Sequence, residues 1–228
     1  MKAALEIWES FLIAFSALLP LINPVGSALV FLGLVGEAPV DAFRSVARKI
    51  AINNVIFLVV IELLGTTLLH FFGISLPIVQ VSGGIVIAAI GWSVLNEKDS
   101  NSWTTDKGKG ITLSPEECRA LEEKAFYPFT FPITSGPGTL VVTLTLASRD
   151  EGNGLTTNLL RHGGLFLAIV ALSFLVYICY ANAPRLTRAI PQATVQGILR
   201  VIAFILMCIG LQIAWNGFST LLPTVLHH

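Results

Sequence analysis

Two hydrophobic segments of this chain are interrupted by the same kind of short sequence, rich in proline, glycine and hydroxyl side chains. The first interruption is Pro20 to Ser27, and the second is Pro132 to Thr139, which lies 112 residues further along. Proline lacks an N–H group and clashes with the preceding turn, so an ordinary α-helix does not run undisturbed through either sequence. In hydrocarbon each freed backbone group costs several kcal/mol, which predicts that both interruptions are buried against protein or line a wet cavity.

The composition indicates that the interrupted segments are membrane helices. The 228 residues are 54% hydrophobic and only 12% charged, with a mean hydropathy of +0.77. A soluble domain usually has about 25% charged residues. Several apolar stretches of about 20 residues therefore predict an all-α membrane protein with six transmembrane helices. The net charge is zero, so neither nucleic-acid binding nor a polybasic lipid tether is indicated.

The six predicted spans form two groups of three on either side of a polar loop. We divide the chain into a first repeat (1–95), the loop (96–124) and a second repeat (125–228). The predicted spans are Ile7 to Val35, Ile50 to Phe72, Ile78 to Leu95, Ala125 to Ala147, Gly163 to Tyr180 and Ile198 to Phe218.

The two groups resemble each other in sequence. At an offset of 112, Pro20 aligns with Pro132 and Gly26 with Gly138, whereas the inner proline of the second interruption slips by one position. In spans three and six, Ile90-Gly91 is repeated as Ile209-Gly210 at an offset of 119. Interrupted hydrophobic segments at corresponding positions of two halves are typical of the binding site of a transporter.

The positions of Lys and Arg predict the orientation. Eleven of them lie in or next to three links (37–49, 96–124 and 183–197), against three on the other side, which predicts that these links are cytoplasmic and that both termini lie outside. Because each group has three spans, the second group enters the membrane upside down. We therefore predict a 3+3 inverted repeat whose helices one and four are broken near mid-membrane. The eleven are Arg44, Arg48, Lys49, Lys98, Lys107, Lys109, Arg119, Lys124, Arg185, Arg188 and Arg200, and the three are Lys2, Arg149 and Arg161.

A helix that stops and restarts leaves unpaired N–H groups and a partial positive charge at its new start, which suits a carboxylate or another anion. With glycines and uncharged polar side chains nearby, such a place fits a small polar solute. The alternative is that these residues only allow tight helix packing. The predicted binding residues are Asn23, Pro24, Gly26, Ser27, Thr134, Ser135, Gly136, Gly138 and Thr139.

Glu62 is a second candidate, because an ionisable side chain within a span is costly. We place it near mid-depth in span two, as a proton-coupling residue or as a carboxyl group that is neutral or hydrogen-bonded to another helix. Asn53 and Asn54 are shallower and either line the cavity or form interhelical hydrogen bonds. His70 and His162 lie near span ends, and neither has a carboxylate or nucleophile partner at useful spacing.

The sequence has no arrangement that is typical of an enzyme. His, Cys, Asp and Glu do not cluster at metal-ligand spacing, no nucleophile is paired with a base, and no nucleotide-binding motif is present. We therefore predict no metal, no cofactor and no catalytic activity. The pair Gly84 and Ala88 has the small-xxx-small spacing of helix packing.

Three stretches of the chain resemble the MarC family of bacterial inner-membrane proteins, and the resemblance covers nearly the full length. They are Asn23-Pro24-Val25-Gly26, Ser82-Gly83-Gly84-Ile85-Val86 and the whole second interruption. That family is grouped with the LysE-type exporters, and some members are described as neutral amino-acid transporters. The resemblance implies an inner-membrane location and a fold of six spans, and it leaves the substrate open.

Together these observations predict a secondary transporter or exporter of small polar solutes, with neutral amino acids favoured. Its predicted partners are the solute, a coupling ion and the lipid bilayer, and a homodimer is compatible with so small a chain. The alternative is a membrane protein with a structural, assembly or stress-related role and no transport activity.

Overall fold

The computed structural model describes residues 2–35, 38–96, 115–148, 154–185 and 192–226, in which it contains helices and no β-strand. The fold is therefore all-α within these residues, as predicted. In chain order the helices are α1 (Lys2–Ile22), α2 (Pro24–Val35), α3 (Val40–Phe71), α4 (Leu76–Asn96), α5 (Pro115–Glu123), α6 (Ala125–Thr134), α7 (Pro137–Ala147), α8 (Leu155–Ala181) and α9 (Gln192–Leu226).

Five stretches of helix in these residues are long and apolar enough to cross a membrane, and a bent pair of shorter helices makes a sixth candidate. The five are Ala3–Leu32, Val40–Phe71, Leu76–Asn96, Thr156–Ala181 and Arg200–Leu222, and the bent pair is α6 with α7. Each coincides with one of the predicted apolar segments.

Two predicted link boundaries need correction. Helix α3 begins at Val40 and α9 begins at Gln192, so parts of the predicted links 37–49 and 183–197 are helical. A formed helix adds one hydrogen bond for each further residue, so it extends past the apolar segment that hydropathy detects. Much of the loop 96–124 lies outside the described residues, and α5 occupies its end.

Helix α5 is attached to the start of α3. The Glu122 carboxylate accepts hydrogen bonds from Lys49 Nζ, at 2.5 Å, and from the Ser45 hydroxyl. These two hydrogen bonds, with that from Lys49 foremost, hold the pKa of Glu122 below its ordinary value. The contact fixes the end of the central loop against span two.

The interruption in the first span is a single residue, Asn23. Helix α1 includes Pro20 and ends at Ile22, and α2 restarts at Pro24. Asn23 has a φ of +41°, in the left-handed region that asparagine tolerates better than most residues. Its N–H donates to Leu19 O, and its own carbonyl accepts from Ser27 N, both at 2.9 Å. The main-chain hydrogen bonds therefore continue across the interruption.

The interruption in the fourth span is larger. Helices α6 and α7 meet at a bend of 72°, and the residues between them are Ser135 and Gly136. The turns of α6 are of the wide π type, and Tyr127 and Phe131, each preceding a proline, have extended backbone angles. A residue before proline is disfavoured in the α conformation, so the two prolines of α6 explain its irregularity.

The helices pack in a pattern of reciprocal pairs. Helix α1 packs on α8, α6 and α7 pack on α3, and α3 and α8 pack on each other. Helices α4 and α9 lie side by side and contact the rest of the protein mainly through α7 and α1. Near the interruptions Phe31 stacks on Tyr180, with ring centroids 4.7 Å apart, and meets Phe43 and Phe129 edge-on. An aromatic core thus joins α2, α3, α6 and α8.

Candidate functional site

The residues of both interruptions lie mainly in the protein interior. Of the nine predicted binding residues, Asn23 and Gly136 are half-buried and the other seven are buried, namely Pro24, Gly26, Ser27, Thr134, Ser135, Gly138 and Thr139. Since a buried polar group is costly unless it is hydrogen-bonded, the partners of these side chains indicate which are used by the fold and which remain available.

In the first interruption the polar groups bond mainly to one another. Asn23 Oδ1 accepts a hydrogen bond from Gly26 N at 3.1 Å, which is the bond that an N-cap side chain makes to the third residue of a helix. Pro24 occupies the first helical position, where its missing N–H is not needed. The Ser27 hydroxyl donates to Asn23 O at 2.9 Å. The start of α2 is therefore capped by its own residues.

Tyr180 of α8 lies close to residues of both interruptions. Its hydroxyl lies 2.8 Å from Thr134 Oγ1. Thr134 Oγ1 donates to Phe129 O at 2.7 Å, so in this pair the phenol is the donor. Ser27 is also near the phenol, but the Ser27 hydroxyl donates to Asn23 O. Ser27 and Thr134, 107 residues apart in the chain, thus lie near the same buried side chain.

Asn54 joins the second interruption to two long helices. Ser135 Oγ donates to Asn54 Oδ1 at 2.5 Å, and Asn54 Nδ2 donates to Ser173 Oγ at 2.9 Å. All three side chains are buried. Of the two roles considered for Asn54, interhelical hydrogen bonding is therefore the one observed, whereas its neighbour Asn53 is half-buried.

The start of α7 differs, because several donors there have no partner. Thr139 is 1% exposed, and its Oγ1 is the one buried side-chain polar atom in the described residues without a hydrogen bond. The residue that precedes α7 is Gly136, which has no side chain to cap the helix. Within the same part of the chain, the N–H groups of Gly136 and Gly138 donate to no backbone carbonyl.

The two interruptions approach each other at Gly138. A Cβ added to Gly138 would lie 3.0 Å from Leu21 Cδ2 and 2.7 Å from Ile87 Cγ1. Leu21 belongs to the first interruption and Ile87 to α4, so the start of α7 lies between these two elements. Only a glycine allows so close an approach without displacement of its neighbours.

A comparison with families of known proteins identifies the family of this chain. The model of the family described as "MarC family integral membrane protein" matches residues 8–222. The chain belongs to the MarC family. It is therefore an integral membrane protein, and the predicted resemblance to that family is confirmed.

Similar MarC family proteins are found in bacteria and archaea. The chain is 25% identical to the "UPF0056 inner membrane protein MarC" of Salmonella paratyphi A over 231 residues, which cover 96% of this chain and 99% of that protein. It is 28% identical to a UPF0056 membrane protein of Pyrococcus horikoshii over 215 residues, which cover 94% and 97%. No solved structure matches the chain. These names describe membrane proteins and specify no solute.

In this MarC family member the partner of Glu62 is His162. Glu62 Oε1 and His162 Nδ1 are 3.1 Å apart, and the Glu62 side chain is 2% exposed. The prediction that His162 has no carboxylate partner was therefore wrong. The two residues are 100 positions apart, on helices whose packing cannot be read from spacing, and the clue in the sequence was that each is an ionisable side chain at or within a span.

Proposed function

We propose that this protein is a secondary transporter of small polar solutes, with neutral amino acids favoured, and that the solute binds at the start of α7. The observation that carries this proposal is the buried, unpartnered hydroxyl of Thr139, beside the uncapped N–H groups of Gly136 and Gly138. A buried polar group without a partner costs about 1–3 kcal/mol. A bound solute would remove that cost.

The chemistry of this place suits a carboxylate. The 11 residues of α7 give its start a partial positive charge, and N–H and O–H donors are what a carboxylate accepts from. Since the nearby side chains of Thr134, Thr139 and Ser135 are uncharged, a zwitterion with no net charge is favoured over an ion. This chemistry favours a neutral amino acid.

The packing of α4 on α9 supports the proposed 3+3 inverted repeat. A Cβ added to Gly210 would lie 2.6 Å from Gly84 O, and one added to Gly91 would lie 2.7 Å from Ala203 O. At an offset of 119, Gly91 corresponds to Gly210 and Gly84 corresponds to Ala203. Exchanging the two halves therefore turns the contact of Gly91 with Ala203 into the contact of Gly210 with Gly84. This reciprocity is expected of an antiparallel pair related by a two-fold axis.

In the proposed orientation the axis lies in the membrane plane and both termini face away from the cytoplasm, as the distribution of Lys and Arg favours. The interruptions of spans one and four would then enter the membrane from opposite sides. The contact between Leu21 and Gly138 supports their apposition. The proposed solute site thus lies where the two halves meet.

A second candidate function rests on the other polar groups of the interruptions. Ser27, Thr134 and Ser135 all have partners within the protein. This internal pairing is what a structural or assembly role without transport would need. The choice between the two functions therefore depends on whether the Thr139 hydroxyl binds a solute.

The test is thermal unfolding of the purified protein in the presence of each of a panel of neutral amino acids at up to about 50 mM. For a ligand with a millimolar dissociation constant this concentration is about 50 times that constant. We expect a selective stabilisation in the wild type that is lost in Thr139→Val and retained in Thr139→Ser. Without ligand, Thr139→Val should be as stable as the wild type or more stable, because the substitution removes an unpaired hydroxyl without changing the size of the side chain.

The matched control is Thr145→Val, on the same helix. Thr145 Oγ1 already donates to Val141 O at 2.8 Å, so its loss should leave the ligand effect unchanged. An equal ligand effect in Thr139→Val and the wild type would exclude Thr139 from the site. No stabilisation by any amino acid would favour the structural role.

A further inference from the structure

Glu62 and His162 form an acid–base pair, with Glu62 buried and His162 partly exposed, away from the solute site. They belong to two candidate membrane spans, Val40–Phe71 and Thr156–Ala181. Helices α3 and α8 are antiparallel here, because Asn54 meets Ser173 and Glu62 meets His162. At 1.5 Å per residue, Glu62 lies about 12 Å along α3 from Asn54 and hence from the second interruption.

The pair is a costly way to join two helices. Removing a carboxylate and an imidazolium from water costs several kcal/mol for each ion, and their attraction repays this only with good geometry and further hydrogen bonds. Glu62 Oε1 has one hydrogen-bond partner in the described residues, His162, and no backbone donor. An apolar pair of similar volume would join the two helices as well, so packing alone does not explain the pair.

In the described residues His162 is the one ionisable side chain that is paired with Glu62. Helix α1, which packs on α8 beside Gly164, has Glu6 and Glu9 at this end. Helix α7 has no titratable side chain and α6 has only Tyr127. Helix α5 contacts the opposite end of α3, at Ser45 and Lys49. On α8 the neighbouring Arg161 makes an interaction of its own, and the next titratable residue is 15 positions further on. His162 is thus the partner on which the charge of Glu62 depends.

We propose that Glu62 and His162 form one proton-binding site, which exchanges its proton through His162 at the end of the bundle where α8 begins. This inference deepens the proposed function, because the site would supply the coupling proton of the transporter. A proton carrier needs one group that is shielded and one that is accessible, and the pair has both. The Glu62 side chain is 2% exposed and the His162 side chain 33% exposed.

The surroundings of His162 give a route for that proton. The first two turns of α8 contain Thr156, Thr157, Asn158 and Arg161 before the apolar stretch begins at Gly163. Thr156 is exposed and His162 is partly exposed, so the imidazole is open to water at this end of the helix. The carboxylate lies behind the imidazole, so a proton reaches Glu62 by way of His162.

The experiment measures the melting temperature of the full-length protein in lipid nanodiscs between pH 5 and pH 8. We expect the wild-type value to change by about 3 °C or more across this range, since a change of about 1 kcal/mol in stability has an effect of that size in a chain of this length. In His162→Gln, Glu62→Gln and the double variant most of this change should be lost. The double variant should resemble each single variant, because the two residues act as one site.

The matched control is His70→Gln, on the same helix as Glu62 but exposed. It should keep the wild-type profile. An unchanged profile in His162→Gln, or an equal loss in His70→Gln, would overturn the proposal. If Glu62→Gln does not fold, His162→Gln and His162→Asn decide the matter, because His162 is partly exposed and tolerates substitution better.

No solute is needed for this measurement, so the proton-binding site and the solute site can be contradicted independently of each other. A flat pH profile leaves the Thr139 test unaffected. Absence of any amino-acid effect leaves the pair as a proton-binding site and removes its role in amino-acid transport.

Discussion

The two interruptions have similar sequences and different structures. In the first, a single residue separates α1 from α2, and its side chain caps the helix that follows. In the second, Ser135 and Gly136 separate α6 from α7, the helices bend by 72°, and the residue before Pro137 has no side chain. The proline that begins the following helix accordingly lies one position later in the second interruption, whereas Gly138 keeps the offset of 112 from Gly26. With glycine at the capping position, donors at the start of α7 are left unpaired.

This comparison assigns different roles to the two regions. In the first interruption Asn23 Oδ1 and the Ser27 hydroxyl are both bonded to its own backbone, so it is expected to be rigid and to present apolar and backbone surface to its neighbour. The second has the unpaired Thr139 hydroxyl, so it is expected to bind the solute. An inverted repeat permits this asymmetry, because similar backbones in the two halves do not require similar side chains at each cap.

The largest effect should come from Asn54, which holds the second interruption to α3 and α8. Asn54→Ala removes two buried interhelical hydrogen bonds and leaves the Ser135 and Ser173 hydroxyls without these partners. We expect a loss of about 2–3 kcal/mol, since interhelical hydrogen bonds in membrane proteins contribute about 0.6–1.7 kcal/mol each and a cavity adds to the loss. The measurement is unfolding by SDS in mixed micelles.

Asn53→Ala is the control for this prediction, because Asn53 is adjacent and half-buried. It should change stability by less than about 0.5 kcal/mol. Similar losses in the two variants would show that the Asn54 hydrogen bonds do not hold the second interruption in place.

A smaller effect is expected at the first interruption. Asn23→Ala removes the cap of α2 and puts at a φ of +41° a residue that tolerates the left-handed region less well than asparagine does. The loss of an N-cap costs about 0.5–2 kcal/mol, and Asn23→Gly should lose only a few tenths, because glycine accepts this backbone conformation and is itself a fair N-cap. SDS unfolding of the two variants measures the difference. Equal losses would contradict the role of Asn23 as a cap.

Sequence patterns predicted the membrane helices and the family because these depend on local features. Apolar runs of about 20 residues mark spans wherever they pack, and Gly84 and Ala88 do lie against α9, as small residues at this spacing predict. The site was predictable only as a region. Asn23 and Thr139 lie in equivalent interruptions, yet Asn23 Oδ1 accepts a hydrogen bond from the backbone and the Thr139 hydroxyl has no partner.

Partners across helices could not be predicted in the same way. Tyr180 pairs with Thr134, and His162 pairs with Glu62, over separations that no local pattern encodes. Which face of α8 meets α3 decides these contacts, and that face is set by the packing of all the helices together. A buried charge in a span is a signal that a partner exists, but it does not identify the partner.

The smallest predicted effect on stability is also the most direct test of the comparison. Gly136→Asn would give the second interruption the capping side chain of the first, and the backbone of Gly136, with a φ of −82°, accepts any residue. A Cβ here lies 3.2 Å from Pro132 O, a slight crowding that Gly136→Ala shares. The asparagine variant should therefore be more stable than the alanine variant by about 0.5–1 kcal/mol, as measured by SDS unfolding.

Because the new cap competes for the free N–H groups, Gly136→Asn should also weaken any stabilisation by amino acids more than Gly136→Ala does. Equal stability and equal ligand response in both variants would mean that capping does not distinguish the two interruptions.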